Sequence, residues 1–323
     1  MQSTPEVLVL SNPAAKHMQL LEPLRGSARF TISTDETVFV PAAARADIIL
    51  NGMFTGELLR VAFPHAANVR WIHTLSAGVE HVLFPELIES PVPLTNGRGV
   101  FRRSLGEWVV AAALFFAKEF RRAVHNQEGG LWQQFDIEEL HGRTMGIVGY
   151  GEIGQAAAAL AKPFGMRILA IRRYTARSKA DPLLDGVYPP EQLHALLRES
   201  DYVVIAAPHT PATRGMIGEA EIAAMKPNAV VINVGRGPVI IESALVRALE
   251  DRRIRGAALD VFDDEPLPAA HPFWRMSNVL ISPHCADHTE GWLELAVTQF
   301  IENFHRFQKG EPLRHVVDKR AGY

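Results

Sequence analysis

MGIVGYGEIGQAAAALAKPF, residues 145–164, runs from a short apolar segment through three glycines spaced G-x-G-x-x-G into an alanine-rich stretch. Strand, glycine turn and helix in that order let a pyrophosphate approach the backbone and accept hydrogen bonds at the positive end of the helix. Gly149, Gly151 and Gly154 give the turn its freedom, and Glu152 and Ile153 lie between them with their amides at the helix start. A glycine-rich turn also has a purely structural use, so the neighbouring segments decide the reading.

Those neighbours form a series. MGIVG, RILAI, YVVIAA, AVVINV, GAALDVF and NVLIS recur between helical or loop stretches. They are continuously apolar, as strands covered on both faces of a parallel sheet are. The expectation is a Rossmann-type, doubly wound α/β domain of six strands. Upstream, VLVL, VFVP, ADIIL, VRWIHTL and VPLTNG alternate with mixed segments up to about residue 100 and read as strands of a smaller α/β domain. Between the two, SLGEWVVAAALFFAKEFRRAVHN predicts one long, mostly buried helix, with Ser104 and Glu107 at capping-box spacing. In the tail EGWLELAVTQFIENFHRF, residues Trp292, Leu295, Ala296, Phe300 and Phe304 fall on one helical face.

Composition sets the remaining limits. A chain of 323 residues that is 47% hydrophobic exceeds one comfortable core and predicts two domains. Thirty-three Lys and Arg against 36 Asp and Glu leave a formal net charge of −3, without the basic excess that nucleic-acid binding draws on. The one cysteine, Cys285, excludes an internal disulfide framework and fits a reducing compartment. MQSTPEVLVLSNP lacks the basic start of a signal peptide, and no run approaches the roughly 18 apolar residues of a membrane span. A cytoplasmic location without membrane partner is expected. The 13 His include no H-E-x-x-H and no paired C-x-x-C, so no metal site is expected.

AIRRYTARSK, residues 170–179, ends the second strand of the series with Arg172, Arg173, Arg177 and Lys179. NAD-binding folds usually present a carboxylate there to the ribose 2′-hydroxyl. Here two guanidiniums stand in its place, suited to bidentate hydrogen bonding of a 2′-phosphate. The run is read as selecting NADP(H), with NAD(H) the second option and a solvated turn the bland one. Arg172 and Arg173 are the best ligands.

In open α/β sheets ligands bind beyond the carboxyl ends of the strands. Three polar groups stand just beyond apolar runs: Arg236 in Gly235-Arg236-Gly237 after AVVINV, Glu265 in Asp263-Asp264-Glu265-Pro266 after GAALDVF, and His284 in Pro283-His284-Cys285 after NVLIS. Each has an ordinary alternative, as a cofactor-phosphate ligand, a turn cap and a structural histidine respectively, but their shared placement delivers a guanidinium, an acid and an imidazole to one rim.

The segments GIVGYGEIG, TPATRGMIG, MKPNAVVINVGRGPVI, GAALDVFDDEPLP and NVLISPHCA together resemble the D-isomer-specific 2-hydroxyacid dehydrogenase family, over about residues 103 to 289. LSAGVEH and the SLGEW segment extend the resemblance more loosely into the first domain. It implies a flavodoxin-like substrate domain, discontinuous in sequence, made of residues 1–102 and a returning helix in 290–323 around a dinucleotide-binding domain at 103–289. It implies a homodimer as well.

Residue by residue, Arg236, Glu265 and His284 fall on the family's catalytic positions. His284 would be the general acid, Glu265 its oriented partner, and Arg236 the holder of the substrate carboxylate. Ser76, Ala77 and Gly78 resemble the family's carboxylate cradle, Asp260 matches a position that binds the nicotinamide carboxamide, and Pro208, Val234 and Ala286 lie in matching cofactor segments. The family's H-x-P-L-T appears here as AAPHT, with Ala206 in place of the first histidine, and after His284 the chain reads CADHT. There Asp287 either adds negative potential beside His284 or caps the following helix; the cap is preferred.

The expected activity is NADPH-dependent reduction of a small 2-keto acid to the D-2-hydroxy acid, with glyoxylate and hydroxypyruvate first. Trp132 in GGLWQQ supports that choice by resembling a residue that reaches the partner's active site in such reductases, although an ordinary interface anchor is the alternative. A nucleotide-sensing binding protein related to the corepressors of the family, and a sibling dehydrogenase using NADH, are the other readings.

Overall fold

The computed structural model describes residues 4–178 and 180–323, with Arg177 described in its backbone only. The chain divides into two compact units, Met1–Phe101 with Glu290–Tyr323, and Arg102–Thr289.

In the first unit the strands are β1 (Glu6–Leu10), β2 (Arg29–Ser33), β3 (Ile48–Asn51), β4 (Trp71–Thr74) and β5 (Leu94–Thr95). They form one parallel sheet in the order β2-β1-β3-β4-β5, the flavodoxin-like arrangement. Alternation along β1 separates two cores. Leu8 and Leu10 face helices α1 (Glu36–Ala43), α2 (Glu57–Ala62) and α3 (Pro85–Glu89), packing with Phe39, Leu59 and Leu87. Val7 and Val9 face the helix Trp292–Lys309, whose Ala296, Phe300 and Phe304 are fully buried. Phe300 stacks on Trp71 with centroids 5.1 Å apart, and truncating such a buried aromatic typically costs about 3–5 kcal/mol. Leu295, expected on the buried face of this helix, is 55% exposed; Val297 takes its place in the core.

VFVP is also corrected, because it lies within α1. The Asp35 carboxylate accepts from the Thr37 amide at 2.9 Å, and this cap fixes a helix start despite the β-branched residues. The strand beside it is β2, whose RFTIS lacks a continuous apolar run.

The second unit holds β6 (Thr144–Val148), β7 (Arg167–Ile171), β8 (Gly186–Tyr188), β9 (Tyr202–Ile205), β10 (Val230–Asn233), β11 (Gly256–Leu259) and β12 (Val279–Ile281). All are parallel, in the order β12-β11-β10-β9-β6-β7-β8. The sheet therefore has seven strands instead of six; β8 is a short, half-buried edge strand without an apolar signature.

The helices of this unit are α4 (Arg102–Ala117), α5 (Phe120–Glu128), α6 (Glu152–Ala161), α7 (Leu193–Glu199), α8 (Glu219–Ala224) and α9 (Glu242–Glu250). Val148, Leu169, Val203, Val231 and Leu259 bury one sheet face under α7, α8 and α9. Ile147 points the other way, toward α6. On that side α4 lies directly against α6, where a Cβ on Gly106 would come within 3.1 Å of the Ala156 carbonyl carbon and the Ala157 nitrogen.

The long helix predicted over residues 104–126 is two helices. It breaks at Glu119, whose φ is 51°. The Arg255 guanidinium stabilises the break by donating to the Phe116 carbonyl and to Glu119 Oε1, both at 2.6 Å. Nor does Ser104 act as a cap: α4 begins at Arg102, Ser104 Oγ donates to the Ala286 carbonyl at 2.5 Å, and Glu107 accepts from Arg103 Nε at 2.9 Å.

Candidate active site

The order of the sheet reverses between β6 and β9, and the glycine turn occupies that point. Gly149 has φ 98°, and a Cβ there would lie 2.6 Å from the Ala207 nitrogen. Only glycine satisfies both conditions. A Cβ on Gly154 would meet the Gly149 carbonyl oxygen at 2.6 Å, so this glycine lets α6 close on the turn. Gly151 differs: a Cβ there has nothing within 4 Å. The open space beside Gly151 and the amides of Glu152, Ile153 and Gly154 at the start of α6 fit a pyrophosphate, since the first amides of a helix have no intrahelical acceptor.

Arg172 and Arg173 leave the end of β7. The Arg172 amide donates to the Tyr188 carbonyl at 3.0 Å, and its Nη1 donates to Ser178 Oγ, a buried hydroxyl. Arg173 is exposed, with its guanidinium over the Tyr174 ring. Tyr150, from the glycine turn, reaches the same corner and donates to Asp181 Oδ2 at 3.0 Å. Burial there, followed by the Asp181 carboxylate, raises the phenol well above its usual range. Lys179 and the Arg177 side chain lie outside the described residues.

Beyond β11 and β12, His284 Nδ1 lies 2.6 Å from Glu265 Oε2. Glu265 Oε1 accepts from the Phe262 amide at 2.9 Å, so both of its oxygens are engaged and the carboxylate is fixed. The hydrogen bond to Glu265 raises His284 above its ordinary value, against the opposing effects of burial and of Arg236. Burial pushes Glu265 up, but the hydrogen bonds from His284 and Phe262 and the charge of Arg236 bring it below the usual carboxylate range. Arg236 thus acts on both members of the pair.

The turn bearing Arg236 is fastened by Asn233. Its Oδ1 accepts from the Gly235 amide at 3.0 Å, and its Nδ2 donates to the Arg236 carbonyl at 3.1 Å. A Cβ on Gly237 would fall 2.0 Å from the Phe262 carbonyl. The Arg236 turn and the Glu265 loop therefore touch backbone to backbone.

His284 itself has φ 48°, a left-handed conformation that non-glycine residues adopt when their surroundings impose it. Asp260 supplies the constraint. Its Oδ1 accepts from Ser282 Oγ at 2.6 Å and from the Cys285 and Ala286 amides at 3.0 and 3.1 Å, while its carbonyl accepts from the His284 amide at 2.9 Å. Val234, directly after β10, and Ala286, in the loop beyond β12, are buried, and Pro208, after β9, accepts from Thr213 Oγ1 at 2.6 Å. Asp287 caps no helix. The next helix starts at Trp292 with Gly291 as its cap, Asp287 Oδ1 has no hydrogen-bond partner, and burial raises its carboxyl.

In the first unit, Ser76, Ala77 and Gly78 form a turn after β4. Ser76 Oγ donates to the Gly78 carbonyl at 2.8 Å, and Asn96 Nδ2 donates to the Ala77 carbonyl at 2.5 Å. Asn233 and Asn96 were not singled out in the sequence, although Asn233 lies within MKPNAVVINVGRGPVI; they hold turns, and their position at strand ends is the signal that could have marked them. Among the described residues no group of three or more His, Cys, Asp or Glu could hold a metal ion, and no helix is long and apolar enough to cross a membrane.

A doubly wound parallel sheet with a glycine turn at its switch point and an acid–imidazole pair on the same rim defines a dinucleotide-dependent oxidoreductase. Residues 110–286 match the family model for the NAD binding domain of D-isomer specific 2-hydroxyacid dehydrogenase. The chain is 34% identical over 268 residues to the glyoxylate reductase of Thermococcus gammatolerans, covering 80% of this chain and 79% of that protein. A D-isomer specific 2-hydroxyacid dehydrogenase from Xanthobacter autotrophicus, solved with NADPH and MES, matches with a TM-score of 0.84 at 27% identity, covering 99% of this chain and 100% of that one. The NADPH-dependent glyoxylate/hydroxypyruvate reductase of Sinorhizobium meliloti, solved with NADP and sulfate, matches with a TM-score of 0.83 at 28% identity, covering 98% and 99%. The chain belongs to the D-isomer specific 2-hydroxyacid dehydrogenase family and is an NAD(P)-dependent enzyme.

Proposed function

We propose that this enzyme reduces a small 2-keto acid to the D-2-hydroxy acid with NADPH, with glyoxylate and hydroxypyruvate the first substrates to try. The observation that carries the reading is the 2.6 Å bond between His284 Nδ1 and Glu265 Oε2. With Nδ1 donating to the carboxylate, the second ring nitrogen, Nε2, is the one left to give a proton to substrate. Glu265 keeps the imidazolium charged and oriented; Arg236 holds the substrate carboxylate and stabilises charge growing on the carbonyl oxygen. When bound, the reduced nicotinamide supplies a hydride to the carbonyl carbon. His284 Nε2 supplies the proton to the carbonyl oxygen, so that the C=O becomes CH–OH and the imidazole is left neutral until solvent reprotonates it.

Preference for NADPH is supported by Arg172 and Arg173 standing where a ribose-binding carboxylate would be, and by the NADPH-dependent reductase among the similar structures. The carboxamide of the nicotinamide is assigned to Asp260, with Pro208, Val234 and Ala286 lining the cofactor. Ser76, Ala77 and Gly78 are assigned to the substrate carboxylate, which makes residues 1–102 and 290–323 the substrate domain and 103–289 the dinucleotide domain. A homodimer is proposed, and Trp132, 98% exposed beside Leu131 at 55%, gives it an apolar anchor; sedimentation equilibrium at twice 35.7 kDa checks it. A cytoplasmic location is part of the same reading.

The test is a panel of 2-keto acids with NADPH and NADH, following loss of reduced-nicotinamide absorbance. Turnover of a small keto acid that is faster with NADPH is the expected result. Tight NADPH binding without turnover of any keto acid would favour the nucleotide-sensing reading instead.

A further inference from the structure

Glu242 opens α9 and belongs to none of the groups assigned above, yet its one carboxylate ties down two points of the segment that carries Glu265. Glu242 Oε2 accepts from the Asp263 amide at 3.2 Å, and Glu242 Oε1 lies 3.0 Å from His271 Nε2. The tautomer of His271 is fixed by its other nitrogen, because Nδ1 accepts from the Phe273 amide at 3.3 Å. Nε2 therefore bears the hydrogen and donates to Glu242. The His271 ring is held against buried Phe273, with centroids 4.5 Å apart. Side-chain exposures of 15% for His271 and 21% for Glu242 make this a shielded pair instead of a surface one.

We propose that Glu242 and His271 are positioning residues: by anchoring Asp263 and His271 to α9 they hold the intervening loop so that Glu265 meets His284. The inference rests on the reading of His284 as proton donor and Glu265 as its partner. Glutamate is specifically required. It accepts from two donors, the Asp263 amide and His271 Nε2–H, whereas glutamine at this position would turn an NH2 toward one of them. His271 cannot adapt by accepting at Nε2, since Nδ1 already accepts from Phe273 and a neutral imidazole has one acceptor nitrogen. The same constraint links the pair to proton affinity, since a displaced Glu265 no longer raises His284. The charged and titratable groups facing His284 are Glu265, Arg236, Asp260 and Asp287; those around the Asp263 anchor are Glu242, Asp264, Arg214 and His271.

The test compares E242Q, E242D and H271N with the parent enzyme in whole protein. Its readouts are the alkaline limb of kcat/KM for keto-acid reduction, His284 titration by 15N-imidazole NMR, NADPH affinity by fluorescence, and folding by circular dichroism. E242Q is expected to lower kcat by about 10-fold or more, as displacement of a catalytic group does. It is also expected to move both the limb and the NMR titration of His284 to lower pH, with NADPH affinity within about twofold of the parent because α9 packs on the sheet face opposite α6, the helix that follows the glycine turn. H271N, which keeps an acceptor for Phe273 but loses the donor to Glu242, should move the limb in the same direction, and E242D, with two acceptor oxygens, should recover part of it. A folded E242Q with reduced kcat and an unmoved His284 titration would overturn the proposal, as would failure of both E242Q and H271N to fold. If H284A retains the parent's alkaline limb, the underlying reading fails, and the proposal with it.

Discussion

His284 Nδ1 and Glu265 Oε2 are 2.6 Å apart, and each shifts the other's proton affinity. The histidine is raised and the glutamate is lowered, so the pair is charged over the window between them. Reduction needs protonated His284. Its kcat/KM should therefore be sustained at neutral pH and fall as pH rises through the raised pKa of the histidine. Glu265→Gln removes the chief cause of the shift and should move that alkaline limb to lower pH. A pH profile of both proteins checks the sign; a limb that stays in place would detach Glu265 from the titration.

His284→Ala should leave NADPH binding nearly intact and cut turnover by about 10²-fold or more, the usual contribution of a general acid. Fluorescence titration and steady-state rates on the same preparation separate the two effects. Turnover equal to the parent's would reject the assignment.

Arg172 is half-buried and braced through Ser178, whereas Arg173 is exposed. Hydrogen bonds to a charged group are worth about 1.5–3 kcal/mol each, so Arg172→Ala should reduce the ratio of kcat/KM for NADPH over NADH by roughly 10-fold or more. Arg173→Ala should do less, since a charge pair made by an exposed side chain is weakened by solvent. Initial rates with each cofactor measure both ratios, and an unchanged ratio in the double variant would remove the basic run from cofactor selection.

Gly237→Ala places a methyl group 2.0 Å from the Phe262 carbonyl, a contact between backbones that no side-chain rotation relieves. Overpacking of this kind costs about 1–3 kcal/mol. It should also push Arg236 away from the Glu265 loop, so denaturant midpoint and kcat should fall together. A variant with parental stability and rate would show that the two loops yield freely.

The part of this molecule that could be read from sequence is the part governed by continuous burial and by glycine. MGIV and AVVI are apolar throughout because helices cover both faces of the sheet, and Gly149 and Gly154 mark backbones that approach too closely for a Cβ. His284, Glu265 and Arg236 were visible because each stands within three residues of the end of one of the runs NVLIS, GAALDVF and AVVINV. Residues that work through backbone amides were hidden. Asp260 could be aligned but its grip on the His284 loop could not, and Glu242 and His271 lie off the strand ends where a search would begin. Secondary structure misled where a single capping bond outweighed composition: Asp35 makes a helix of VFVP, while Ser104, at ideal capping spacing, is spent inside α4 on the Ala286 carbonyl.

The first unit is assembled from two ends of the chain. During synthesis its sheet is complete once β5 is made, but the Trp71 face lacks the part of its cover that Phe300 and Phe304 supply until they leave the ribosome. The whole of Arg102–Thr289 is translated in that interval, contiguous and able to close on its own core. The core around the Trp71 indole is thus closed by residues that lie, along the chain, on either side of an entire second unit.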